Sequence, residues 1–191
     1  MKCTAFLIGL LFAIGSACGQ RDASGGNWPQ FRGPGGHGVS AERALPLTWG
    51  PDKNILWKMQ LPGAGGSSPV IVGDRIVLTA YSGYQVPWVR GGDLSRLARH
   101  VVCLSLAEGK TIWQKDIPAE QPETRYVGEG HGYATNTPVA DEKHVYVFLG
   151  KSGVIAFDLA GKELWRTSVG TGIHQPHTLV PGQTGGSHAP G

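Results

Sequence analysis

The sequence predicts an all-β chain: a partial β-propeller of four-stranded antiparallel blades, about two complete blades plus an N-terminal partial blade, not a closed ring. Three observations carry that expectation. The 191 residues include 30 glycines and 13 prolines, the two worst helix-interior residues. Together they make about 23% of the chain against an average near 12%. Yet 40% of the residues are apolar and the formal net charge is only +3, which disfavours wholesale disorder and leaves short strands and turns. Finally, a tryptophan recurs in one local setting, at Trp57, Trp113 and Trp165. Recurrence at such a period marks a repeat architecture.

Each element follows in chain order. Lys2, the apolar run Ala5 to Ile14 and the small residues Gly15 to Gly19 read as a secretory signal peptide over 1–19, too short an apolar run to span a bilayer. Cleavage after Gly19 is the first reading; lipidation at Cys18, with Gly15 where such a site usually has Leu, is the second. Residues 20–44 read as an N-terminal extended segment, 45–170 as the repeats, and 171–191 as a disordered or non-native tail. That tail carries few large apolar residues and cannot bury enough surface to order itself.

Inside the repeats, Leu56-Trp57-Lys58, Ile112-Trp113-Gln114 and Leu164-Trp165-Arg166 each follow a polar turn. The first two are followed by Ser68-Pro69-Val70 and Thr137-Pro138-Val139, then by turns at Gly73-Asp74-Arg75 and Asp141-Glu142-Lys143. Strand-like runs come next at 76–80 and 145–149, and further runs at 101–106 and 154–159 lead back to the next tryptophan. Short β-branched and aromatic runs between turn signals are strands. Four per unit, repeating every 40–55 residues or so, make propeller blades.

The segment Gly153 to Trp165, with Asp158, Gly161, Lys162 and Trp165, resembles the repeat of pyrroloquinoline-quinone (PQQ)-type propellers. Cys103 to Trp113 is a second copy, with Gly109 and Lys110 at the family spacing. One residue fewer separates Asp158 from Gly161, so the second turn has to differ. The opening Asn27 to Pro34 resembles the mature start of exported bacterial proteins of this type. The resemblance implies that the tryptophan of one blade docks on the Gly-Lys peptide of a neighbour, which would involve Trp57, Trp113, Trp165, Gly109 and Gly161. It further implies a periplasmic, envelope or secreted location, and a truncated member of a larger family, since a ring closes with roughly 4–8 blades.

The fold alone does not fix the function. The family includes quinoprotein dehydrogenases, which hold PQQ and calcium on the axis, and the lipoprotein scaffold of outer-membrane barrel assembly, which holds no cofactor. The dehydrogenases carry a vicinal cysteine pair, whereas the cysteines here are Cys3, Cys18 and Cys103. The expectation is therefore an exported, non-catalytic binding or assembly scaffold, with no catalytic, cofactor or metal residue in the chain. The alternative is the N-terminal part of a PQQ-dependent oxidoreductase, with PQQ and calcium as its cofactors. No nucleic-acid partner is expected, because no cation cluster is present to displace counterions; Arg90 to Arg99 is interrupted by Asp93. Cys103 reads as a buried structural thiol without an activating partner. His174 and His177 flank a proline unsuited to a metal half-site, and the Gly33 to Gly38 run lacks the strand and helix of a phosphate loop.

The connections place function. In a four-stranded blade the second-to-third and blade-to-blade connections open on one face. Here these are the long ones, 82–99 and 118–136, and long loops on a rigid scaffold are where recognition resides. Tyr84, Trp88, Arg90, Arg96, Arg125, Glu129 and His131 form the expected recognition face.

Overall fold

A computed structural model describes residues 26–43, 45–87, 89–125 and 131–170. The expected signal peptide over 1–19, Cys18, Trp88, Glu129 and the expected tail 171–191 lie outside the described residues. Two four-stranded antiparallel sheets dominate. The first blade consists of β1 (Val70–Val72), β2 (Arg75–Ser82), β5 (Ala98–Ser105) and β6 (Thr111–Pro118), in that spatial order. The second consists of β7 (Val139–Ala140), β8 (His144–Phe148), β9 (Val154–Asp158) and β10 (Glu163–Thr167), again each beside the next. A hairpin of β3 (Tyr84–Val86) and β4 (Val89–Gly92) lies within the β2–β5 connection. Among the described residues no sheet closes on itself. Among the described residues there is no α-helix, and hence none long and apolar enough to cross a membrane.

The two-residue period of the strands decides what each face buries. Val77, Val101 and Cys103 turn one face of the first blade toward Val145, Val147, Ile155 and Phe157 of the second, forming a shared core. Leu78, Val102 and Leu104 turn the other face toward Trp57, Met59 and Leu61. The N-terminal partial unit therefore covers the first blade, although residues 55–61 do so without forming a strand. The far side of the second blade leaves Phe148, Leu164 and Trp165 exposed.

Tryptophans join the layers. The Trp57 indole donates to the Leu106 carbonyl at 3.0 Å, and the Trp113 indole donates to Leu159 at 3.0 Å. Each ring rests on the glycine of the same turn: a Cβ on Gly109 would stand 2.3 Å from the Trp57 ring, and one on Gly161 would stand 2.7 Å from Trp113. Both glycines have left-handed φ, +67° and +84°, a region costly for residues with a Cβ. The turns differ as their lengths require. Gly109 N–H donates to Ser105, four residues back, and Gly161 N–H to Asp158, three back. Trp165 is 47% exposed, and no described glycine lies against it.

The N-terminal segment crosses both inner strands. Trp28 exchanges two 2.9 Å backbone bonds with Ile71 of β1, while Ala140 of β7 donates to the Pro29 carbonyl at 2.8 Å. One row down, the Ser68 amide donates to Thr137 Oγ1 at 3.0 Å, linking equivalent positions of the two repeats.

Gly109→Ala should lower the unfolding free energy by about 2–4 kcal/mol, combining a left-handed Cβ with a clash against the ring; urea unfolding measures it, and a loss within experimental error would contradict the docking geometry. Cys103 is fully buried, and desolvation pushes its thiol up to about 11. A disulfide-exchange reagent at pH 8 should leave it unmodified in the native protein and label it on unfolding.

Candidate functional site

The long connections meet on one face, and the contact between them is buried. Arg99, on β5, is 4% exposed. Its Nη2 pairs with Glu123 Oε2 at 2.6 Å and its Nε donates to the Tyr133 carbonyl at 3.0 Å. The same guanidinium stands 5.9 Å from the centre of the Tyr133 ring. The side chains of Arg99 and Glu123 are only 5% and 6% exposed, so water screens the pair little. Glu123 Oε1 also accepts from the Thr124 amide at 2.8 Å.

Around this pair three tyrosines close the space. Tyr81 and Tyr84 lean on Tyr133 with ring centres 5.6 and 5.9 Å away. The hydroxyls of Tyr81, Tyr84 and Tyr133 donate to the carbonyls of Gln85, Arg125 and Thr124. Burial first, with Tyr84 and Glu123 adding to it, pushes the Tyr133 phenol up to about 12. It stays protonated and keeps its hydrogen bond throughout the physiological range.

The expected recognition residues divide on this geometry. Arg96, Arg125 and His131 are exposed on the face. Tyr84 is buried and serves as a strut between the two connections, because its ring fills the tyrosine cluster. Arg90 lies on β4. The 82–99 connection is more ordered than a long loop: the hairpin β3–β4 and a 3-10 turn at Leu94–Arg96 occupy most of it. Asp93 caps that turn by accepting from the Ser95 amide at 2.9 Å.

Two features had no precursor in the sequence reading. Ser82, His100 and Asp116 form a hydrogen-bonded row across β2, β5 and β6, with Ser82 Oγ 2.8 Å from His100 Nε2 and His100 Nδ1 2.7 Å from Asp116 Oδ1. These are the distances of a nucleophile relay. The imidazole, however, is 6% exposed and enclosed between strands, while the Asp116 side chain is 61% exposed. The row ties the three adjacent strands β2, β5 and β6 through their side chains. Hydrogen bonds from His100 and then Gln114 hold the Asp116 carboxyl below its ordinary value. A depressed carboxyl contributes stability at neutral pH and loses it as pH falls through the folded value.

The second feature is a cavity of about 440 Å³ on the same face. The stretch after β6, the 3-10 turn Gly150–Ser152 and the end of β10 border it and leave it open to solvent, with Glu120, Lys151, Ser152 and Arg166 in the lining. Lys151 donates to the Pro122 carbonyl across the junction between blades. Among the described residues, no group of three or more His, Cys, Asp or Glu side chains is placed to hold a metal ion.

Residues 97–186 match the family model described as outer membrane protein assembly factor BamB, a PQQ-type repeat. No curated protein matches the chain.

Removing one member of a buried ion pair strands the other charge. Arg99→Ala and Glu123→Ala should each cost about 3–5 kcal/mol by chemical unfolding, and a cost below about 1 kcal/mol would place the pair among exposed ones. On the alkaline side, a phenol raised from 10.0 to about 12 favours the folded state only while protonated. Stability should fall as pH rises from 10 towards 12, followed by tyrosinate absorbance and circular dichroism together, and Tyr133→Phe should weaken that fall.

Proposed function

We propose that this chain, which carries PQQ-like repeats, is a non-catalytic binding or assembly scaffold of the cell envelope. The observation that carries the reading is the buried Arg99–Glu123–Tyr133 junction, which ties the described parts of the two long connections together. A preorganised surface loses little conformational freedom when a partner docks, which is what a scaffold requires. Arg96, Arg125 and His131 stand exposed on it, and Trp88, Arg90 and Glu129 belong to the same connections.

The chemistry of the interior supports a binding role. The Cys103 thiol is buried and held protonated well above neutral pH, and the Ser82 hydroxyl is committed to a strand tie. The sequence has no vicinal cysteine pair of the kind the quinoprotein dehydrogenases place against the quinone. The matched family's description as an outer-membrane assembly factor, together with the signal-like N-terminus, supports an envelope location and a protein partner.

The test compares the full chain with the triple variant Arg96→Ala, Arg125→Ala, His131→Ala in quantitative capture from an envelope extract. The wild type should enrich at least one protein that the variant retains about tenfold less, as expected for lost charge complementarity. Equal capture by both would contradict the reading, as would dye reduction by the chain supplied with PQQ, calcium and an alcohol or sugar substrate.

A further inference from the structure

We propose that the cavity at the loop-side junction of the two blades binds a monocarboxylate about the size of a dipeptide. The inference rests on the scaffold reading and deepens it, naming what that face holds.

A buried, unpartnered hydroxyl in the lining points to a ligand. Ser152 lines the cavity and is 3% exposed, yet its Oγ has no hydrogen-bond partner among the described residues. Buried hydroxyls in native proteins are nearly always paired, with protein, water or a ligand. Immediately behind the turn that carries Ser152, Arg99 approaches Gly150: its Nη2 lies 3.3 Å from where a Cβ would stand. Its Nη1 is also buried without a partner. Of these two groups only Ser152 belongs to the cavity lining; Arg99 stands behind the turn, outside it.

The donor inventory fixes the chemical class. Lys151 has three N–H donors and gives one to the Pro122 carbonyl. Arg166 spends Nε and Nη2 on Glu163, at 3.1 and 3.0 Å, which leaves its Nη1 free of that pair. Ser152 adds a hydroxyl. Apart from the Glu120 carboxylate, the uncommitted groups named here are donors, which suits an oxygen anion. Glu120 in the lining and Glu163 beside Arg166 offset the charges of Lys151 and Arg166, so a dianion gains little and a single carboxylate suits the site. The volume, about 440 Å³, falls within the range of small-molecule pockets, about 300–1,000 Å³. A carboxylate carried on a short peptide or comparable organic acid fits it better than a bare ion.

N-acetyl-Ala-Ala with a free carboxylate, the same compound as its C-terminal amide, and inorganic phosphate would each be titrated into the 15N-labelled full chain. The acid should shift the amide signals of Lys151, Ser152 and Ser168 saturably, and the amide compound should bind at least about tenfold more weakly. Ser152→Ala should weaken the acid about tenfold while leaving the thermal midpoint unchanged or higher, an outcome a purely structural serine would not give. Absence of saturable shifts, equal binding of acid and amide, or phosphate binding as tight as the acid would each overturn the proposal. Partner capture measured on the same preparation separates the two readings. Capture without acid binding overturns the carboxylate site alone, and acid binding without capture overturns the scaffold reading alone.

Discussion

An indole seated on a left-handed glycine of the next unit is the contact on which the rest of the architecture depends. It does two things at once. The ring covers a peptide that has no Cβ to hold it off, and the indole N–H satisfies a turn carbonyl of the neighbouring sheet, Leu106 for Trp57 and Leu159 for Trp113. Buried tryptophan contributes large apolar area and needs a partner for its N–H, and both needs are met at one place. Trp113 is a strand residue of its own unit, on β6, and Trp57 lies in the extended segment 55–61, so each ring registers its own layer against the next. Trp113 also meets Phe157 with ring centres 5.9 Å apart, joining the docking point to the shared core.

Once the layers are registered, the ends of their strands fall beside one another. The second-to-third connections and the blade-to-blade connections then converge, and Arg99 reaches from β5 to Glu123 on the segment after β6. Removing both charges from water costs several kcal/mol per ion unless geometry and further hydrogen bonds offset it. Here the Tyr133 carbonyl and the Thr124 amide take up bonding capacity beyond the pair itself. On the opposite edge, Trp28 and Pro29 hydrogen-bond to the two inner strands, so the two blades are held at the inner edge, the loop-side face and the docked tryptophans.

The fold was legible because its signals are local and repeated. Trp57, Trp113 and Trp165 announce the period, Pro69 and Pro138 mark the start of each unit, and the missing residue before Gly161 announces a tighter turn. Boundaries shifted by one to three residues, as when β5 begins at Ala98 rather than at 101, because ladder pairing with β2 runs beyond the apolar core. The site was less legible for a physical reason: its determinants are distances between residues far apart in sequence. Arg99 looks like a surface cation until Glu123, 24 residues on, buries it. Tyr84 looks like a loop aromatic until Tyr133 meets it. Ser152 sits in a short turn with no motif around it, and only its burial without a partner distinguishes it. His100 acquires meaning only when pairing places Asp116 opposite it.

Hydrogen exchange at the indole N–H groups tests the docking claim most directly. The account predicts that the Trp57 and Trp113 indole protons exchange at least about a thousandfold more slowly than free indole, in step with the core amides of β2 and β5. Trp165, half-exposed and without a glycine beneath it among the described residues, should exchange near the free rate. Equal, fast exchange of all three indoles in the folded chain would contradict the account.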